Sequence, residues 1–171
     1  MPLAVTHIIL TIILIDLYRD YLLKSKKYFT LHTVMIGGIA SLLPDIDIPI
    51  KWLLNSFGFS MEIIIHTGLT HSLLFGLFFL LPALIFLKKK KHDINTYFFV
   101  ITFAVLFHIF LDYLLNVKEG VMFLWPFTIQ TFKSGLLPYN TNIEFFLGLD
   151  AVILLLWLWH EEVRHKIKDF I

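Results

Sequence analysis

The chain has 171 residues; 58% are hydrophobic, 16% are charged, the net charge is +1 at pH 7, and the mean hydropathy is +0.80. Soluble domains run near 45–50% apolar and about 25% charged, so an ordinary soluble domain is excluded and a single membrane-embedded domain, residues 1–171, is expected. The small net charge, with basic residues only in short clusters, argues against nucleic-acid binding, and the absence of cysteine excludes disulfides and thiolate metal sites.

Five apolar segments predict an all-α, polytopic helical bundle with about five transmembrane or membrane-embedded helices. The first, Leu3–Tyr18, lacks a basic leader region and a small-residue cleavage site, so it reads as a retained helix and not a signal peptide. It carries Thr6–His7. The second, Phe29–Leu43, stops at Pro44, and "PDID" then places Asp45 and Asp47 in a loop before Pro49. Two carboxylates spaced by two on a stiff segment can offer oxygens to one metal ion or to two neighbouring ones.

"HTGLTHS", His66–Ser72, sets two imidazoles five residues apart. On a continuous helix they would point about 140° apart. A helix start between them is therefore expected, with Gly68 making the turn and Thr70 as N-cap. The third segment, Ser72–Leu87, runs into Lys88–Lys91. The fourth, Tyr97–Leu115, holds "HIFLD", which puts His108 and Asp112 on one helix face, one turn apart. A carboxylate there costs several kcal/mol unless it is paired or metal-bound. Val121–Phe127 is too short to span and reads as a re-entrant or interfacial piece, with Trp125 at headgroup level. The fifth segment, Ile143–Trp159, has Glu144 at its entrance and Asp150 about two turns deeper.

Eleven of the fourteen basic residues follow the first, third and fifth segments, and only Lys51, Lys118 and Lys133 fall on the other side. The positive-inside rule then predicts an N-out, C-in multi-pass protein of the cell (inner) membrane. In that topology His7, Asp45, Asp47, His66, His71, His108 and Asp112 gather at one depth on the extracytoplasmic side. Alone, each motif also reads as packing, capping or headgroup anchoring. Together they suit two or more divalent ions, with zinc, manganese or iron matching the nitrogen and oxygen donors. His66, His71, His108, Asp112 and Asp45 are the preferred ligands; Asp47 and His7 ligate or support a ligand. Such a set activates water for hydrolysis, with Asp47 or Glu144 as general base. Asp16 and His32 depart from this depth, which keeps a metal-ion or proton transporter as an alternative. A non-catalytic scaffold with a structural metal is another. His92, His160 and His165 are read as interfacial, without a role in the site.

In this order the motifs "TH" (Thr6–His7), "GGIASLLPDID" (Gly37–Asp47), "HTGLTHS", "HIFLD" and "WPF" (Trp125–Phe127) resemble the YdjM/YbcI family of inner-membrane-associated, predicted metal-dependent hydrolases. The arrangement is more distantly similar to zinc-dependent phospholipase C, whose ligands include a His-x3-Asp pair on a helix. Those likenesses imply a metal-dependent hydrolase of phosphoesters, and the expected place of the site at the interface favours a lipid or lipid-linked substrate, with membrane lipids as partners. Two departures stand out. Thr67 replaces the arginine of the family's H-R-G-x-T-H-S motif, and Phe107 stands where glycine often precedes the histidine of the fourth helix.

Overall fold

A computed structural model describes residues 4–23, 27–58, 68–115, 120–139 and 141–165. Their regular structure is helical, apart from one antiparallel bridge between Val121 and Phe132. Helix α1 spans Ala4–Leu17 and continues as a π-helical turn, Tyr18–Leu22, closed by Leu23 N–H donating to the Tyr18 carbonyl at 3.2 Å. Helix α2, Leu31–Ala40, starts at Thr30, whose backbone N–H donates to the Thr33 hydroxyl. Pro44 then imposes a 3-10 turn, Pro44–Ile46, and α3, Asp47–Ser56, leaves at an angle of 48° to α2. The aspartates of "PDID" are thus in helical turns and not in the expected loop. Pro49 falls in the first turn of α3, where its missing N–H has no intrahelical partner to lose.

Helices α4, Leu73–Phe78, and α5, Leu80–Lys88, form one apolar rod broken at Phe79. The break follows from Pro82, which cannot donate to the Phe78 carbonyl. Helix α6, His92–Leu115, is uninterrupted, and α7 covers Ile143–His165. Both are long and apolar enough to cross a membrane, and α2 with α3 would make a third, bent crossing. Helix α1 and the α4–α5 rod are shorter than the roughly 20 residues a span takes. Val121–Phe127 forms no helix. Val121 exchanges two backbone hydrogen bonds with Phe132, and the Phe123 carbonyl accepts from Leu73 N–H at the start of α4.

Helix α6 is the axis of the bundle and packs against α1, α2, α4 and α5. Close approach depends on small residues, as is usual between membrane helices. A Cβ on Gly37 would lie 2.3 Å from Ile15 of α1, and one on Gly76 would lie 2.4 Å from Leu106 of α6. Apolar clusters form on either side of the middle: Ile15, Val34 and Val100, and then Val105, Ile109 and Val121. Helix α7 lies outside, against α1 and parallel to it. Thr6 meets Asp150 at one end, and Tyr21 meets His160 at the other.

Candidate metal centre

Four elements deliver five ionisable side chains to one point. His7 comes from α1, Asp45 from the 3-10 turn, His71 from the turn before α4, and His108 with Asp112 from α6. His7, His71, His108 and Asp112 are each at most 1% exposed. Asp112 sits among three imidazoles. Its Oδ1 is 3.4 Å from His7 Nε2, and its Oδ2 is 3.1 Å from His71 Nε2 and 3.5 Å from His108 Nε2. Asp45 Oδ1 lies 3.5 Å from His71 Nε2 and 3.7 Å from His108 Nε2. The His7 and His108 rings stack, with centroids 3.8 Å apart. His7–His108–Asp112 and Asp45–His71–His108 each bring their donor atoms within 4.8 Å of one another, and His108 belongs to both sets.

The orientation of His108 is set by how α2 ends. The Ser41 carbonyl would accept from Asp45 N–H if the helix continued, but the 3-10 turn sends that N–H to the Leu42 carbonyl. The Ser41 carbonyl is left for His108 Nδ1, 2.6 Å away. A carbonyl can only accept, so Nδ1 carries the hydrogen. In the neutral ring, Nε2 is therefore a lone pair, yet it faces oxygens of two carboxylates. Three acceptors aimed at one another in a buried space repel unless a cation lies between them or the ring takes a proton. His108 Nε2, Asp112 Oδ1 and His7 Nδ1 are buried and have no hydrogen-bond partner among the described residues. A ring nitrogen facing inward, with its N–H held by a backbone carbonyl, is how metal-bound histidines are usually supported. The donor set could hold a metal ion.

The family model for the YdjM inner membrane protein family matches residues 1–167. The chain belongs to that family. Its membership and its apolar helices make it a membrane protein. No curated protein and no solved structure matches it.

Of the other residues expected in this family member's site, Asp47 is buried at the start of α3, two residues from Asp45, but belongs to neither set. Glu144 is exposed in the first turn of α7 and accepts from the Asn142 amide at 2.9 Å. His66 and Thr67 lie outside the described residues. The N-cap of α4 is Ser72 and not Thr70. The Ser72 hydroxyl accepts from Phe75 N–H, whereas Thr70 Oγ1 lies 3.1 Å from His71 Nδ1. His71 consequently sits in the turn before the helix. Burial alone would lower its pKa, but the Asp112 and Asp45 carboxylates outweigh this and hold it up at about 9.

Two features do not follow from the sequence. Asp150 is buried and accepts from the Thr6 hydroxyl at 2.6 Å, tying α7 to the residue before His7. His160, read as interfacial, joins Glu161 and the buried Asp16 in a second cluster at the far end of α1. Arg19, in the π-helical turn, adds its guanidinium 2.9 Å from Asp16. Nothing in the spacing linked α1 to α7, so only the packing reveals this cluster.

Proposed function

We propose that this YdjM-family protein is a membrane-bound, metal-dependent hydrolase acting on a lipid or lipid-linked phosphoester. In this reading the segments Leu3–Tyr18, Phe29–Leu43, Ser72–Leu87, Tyr97–Leu115 and Ile143–Trp159 make five passes, N-out and C-in, with the site at the extracytoplasmic surface. His108 offers one inward lone pair, so one ion would take it from either set, His7–His108–Asp112 or Asp45–His71–His108; the donors left over, with His66, would support that ion or hold a second. Zinc fits best, with manganese or iron as alternatives. A divalent ion held there would lower the pKa of a nearby water and offset charge developing on a phosphoester. Asp112 keeps three imidazoles aimed at one point. Ser41 fixes His108 with its Nε2 lone pair inward. Asp47 is preferred to Glu144 as general base, because it is buried beside Asp45 on the same bend, whereas Glu144 is exposed and engaged with Asn142.

The observation that carries the reading is the inward lone pair of His108 opposite two carboxylates. Metal analysis of the purified protein, with turnover on a panel of lipid phosphoesters, tests it. At least one equivalent of transition metal is expected, lost on chelation together with hydrolysis. Less than one equivalent, unchanged by His108→Ala plus Asp112→Ala, would refute the metal site. Metal without turnover would leave a structural scaffold.

A second reading, a metal-ion or proton transporter, draws on the Asp16–His160–Glu161 cluster at the opposite end of α1. Metal uptake into proteoliposomes that depends on both His108 and Asp16 would favour it over hydrolysis.

A further inference from the structure

At the basic end of the bundle, a polar recess and an apolar groove adjoin. The recess is lined by Tyr28, Lys90, Lys91, His92, Asp93 and Ile94. The Lys27 ammonium lies 5.0 Å over the Tyr28 ring, and the Tyr28 and His92 rings are 5.4 Å apart. Asp93 is the one acid lining the recess, against two lysines there and a third at its edge. The groove, about 880 Å³, runs between α1 and the first half of α6, past Leu14, Tyr18, Phe29, Thr96, Phe99 and Phe103. The two lie close together: Tyr28 lines the recess and its neighbour Phe29 the groove, and Thr96 of the groove donates its hydroxyl hydrogen to the carbonyl of His92, which lines the recess one turn back.

Lys90 carries its charge at a strained backbone position. Its φ is +55°, and it is the only non-glycine residue at positive φ among those described. It terminates α5 in a Schellman arrangement: Lys91 N–H donates to the Phe86 carbonyl, and Lys90 N–H to the Leu87 carbonyl, each at 3.0 Å. That position ordinarily takes glycine, because a Cβ is strained there. A lysine instead keeps a cation at the rim of the recess at the expense of backbone strain. Strain of this kind is concentrated at functional positions.

We infer that this end of the protein is a binding site for one anionic phospholipid, its phosphate at Lys90, Lys91 and His92 and an acyl chain along the α1–α6 groove. Charge complementarity selects the headgroup, and the apolar walls leading into the bundle's membrane-facing side select a lipid over a free anion. Juxtamembrane lysines attract anionic lipid through this same electrostatic term. The site lies at the opposite end of α1 from His7, so it is distinct from the candidate metal centre and stands whether or not that centre is catalytic.

Native mass spectrometry of the detergent-purified full chain tests this with phosphatidylglycerol, phosphatidylcholine and inorganic phosphate as probes. Wild type should retain phosphatidylglycerol at least about tenfold better than phosphatidylcholine, and millimolar phosphate should not displace it. Lys90→Gly should weaken phosphatidylglycerol about fivefold, the share of one interfacial lysine, while thermal unfolding stays at or above wild type because the strain is relieved. Lys91→Gln should act in the same direction without that gain. Leu14→Trp, which fills the groove from an exposed position, should weaken both lipids. Equal retention of the two lipids, displacement by inorganic phosphate, or an unchanged preference in Lys90→Gly and Lys91→Gln would each overturn the inference.

Discussion

His108 is the side chain on which the proposed site turns, because both three-residue sets use it. His108→Ala removes a donor from each set at once, whereas His7→Ala and His71→Ala each damage one set and spare the other. Partners that merely support a metal ligand are worth about 10–100-fold in affinity. Loss of a ligand itself should cost at least the upper figure, about 2.7 kcal/mol per ion. His108→Ala also leaves the Ser41 carbonyl buried without its donor, which costs ~1–3 kcal/mol of stability in the metal-free protein. Equilibrium dialysis against buffered zinc, read by elemental analysis, separates the variants. Wild type is expected to bind at least one ion, His7→Ala and His71→Ala each to keep one through the set they spare, and His108→Ala to keep none at wild-type half-saturation. Thermal unfolding in chelator checks that each variant folds. Wild-type metal content in a folded His108→Ala protein would refute the geometry in which both sets draw on His108.

The raised pKa of His71 gives a pH dependence. Its protonated form is favoured by folding, so that stabilisation is complete below pH 6.5 and lost as the pH rises through about 9. Denaturation in chelator should show the metal-free protein weakening over that window, while zinc affinity climbs because a ligating imidazole must be neutral; flat profiles in both would contradict the assignment. Thr6→Val strands the buried Asp150 carboxylate and should destabilise by ~1–3 kcal/mol, measured by thermal unfolding in detergent. Gly37→Leu drives a side chain into Ile15 and should cost at least about 1–3 kcal/mol in the same assay. Ser72→Ala removes the N-cap of α4, with an expected loss of about 1 kcal/mol, whereas Thr70→Ala should leave the helix start intact.

Helix identity was readable because a lipid-facing backbone must satisfy its own hydrogen bonds, so apolar runs become helices wherever proline allows. The segments read as Leu3–Tyr18 and Ile143–Trp159 appear as α1, Ala4–Leu17, and α7, Ile143–His165. The pairing of His108 with Asp112 was equally legible, since a spacing of four defines a helix face. Convergence of His7, Asp45 and His71 on that pair was legible only through shared depth, a one-dimensional coordinate. What escaped was anything decided by competition between local acceptors. Thr70 and Ser72 are both good caps by type, and the choice fell to Ser72 because Thr70 Oγ1 lies against the His71 ring. The 3-10 turn at Pro44 was hidden for a similar reason, because its worth lies in freeing the Ser41 carbonyl for a residue 67 positions away.

The same packing weighs on the choice between hydrolysis and transport. His7 and Asp16 mark the two ionisable clusters along α1, nine residues apart, or about 14 Å at 1.5 Å per residue. Between them the buried residues of α1 are Ile9, Thr11 and Ile15, so Thr11 offers the one polar step on that face. Arg19, itself buried, lies 2.9 Å from Asp16, placing a fixed cation where a metal ion would have to leave. A conducting path needs frequent polar relays and an exit that does not repel its cargo. A hydrolase needs neither, only a closed donor set at one surface. The α1 face supplies the closed donor set and lacks the relays and the exit, and the Asp16 cluster reads better as the clasp that holds α1 to α7 at the basic end. If so, Asp16→Asn should lower thermal stability while leaving zinc stoichiometry at wild type; loss of bound zinc in a folded Asp16→Asn protein would instead couple the two ends and reopen transport.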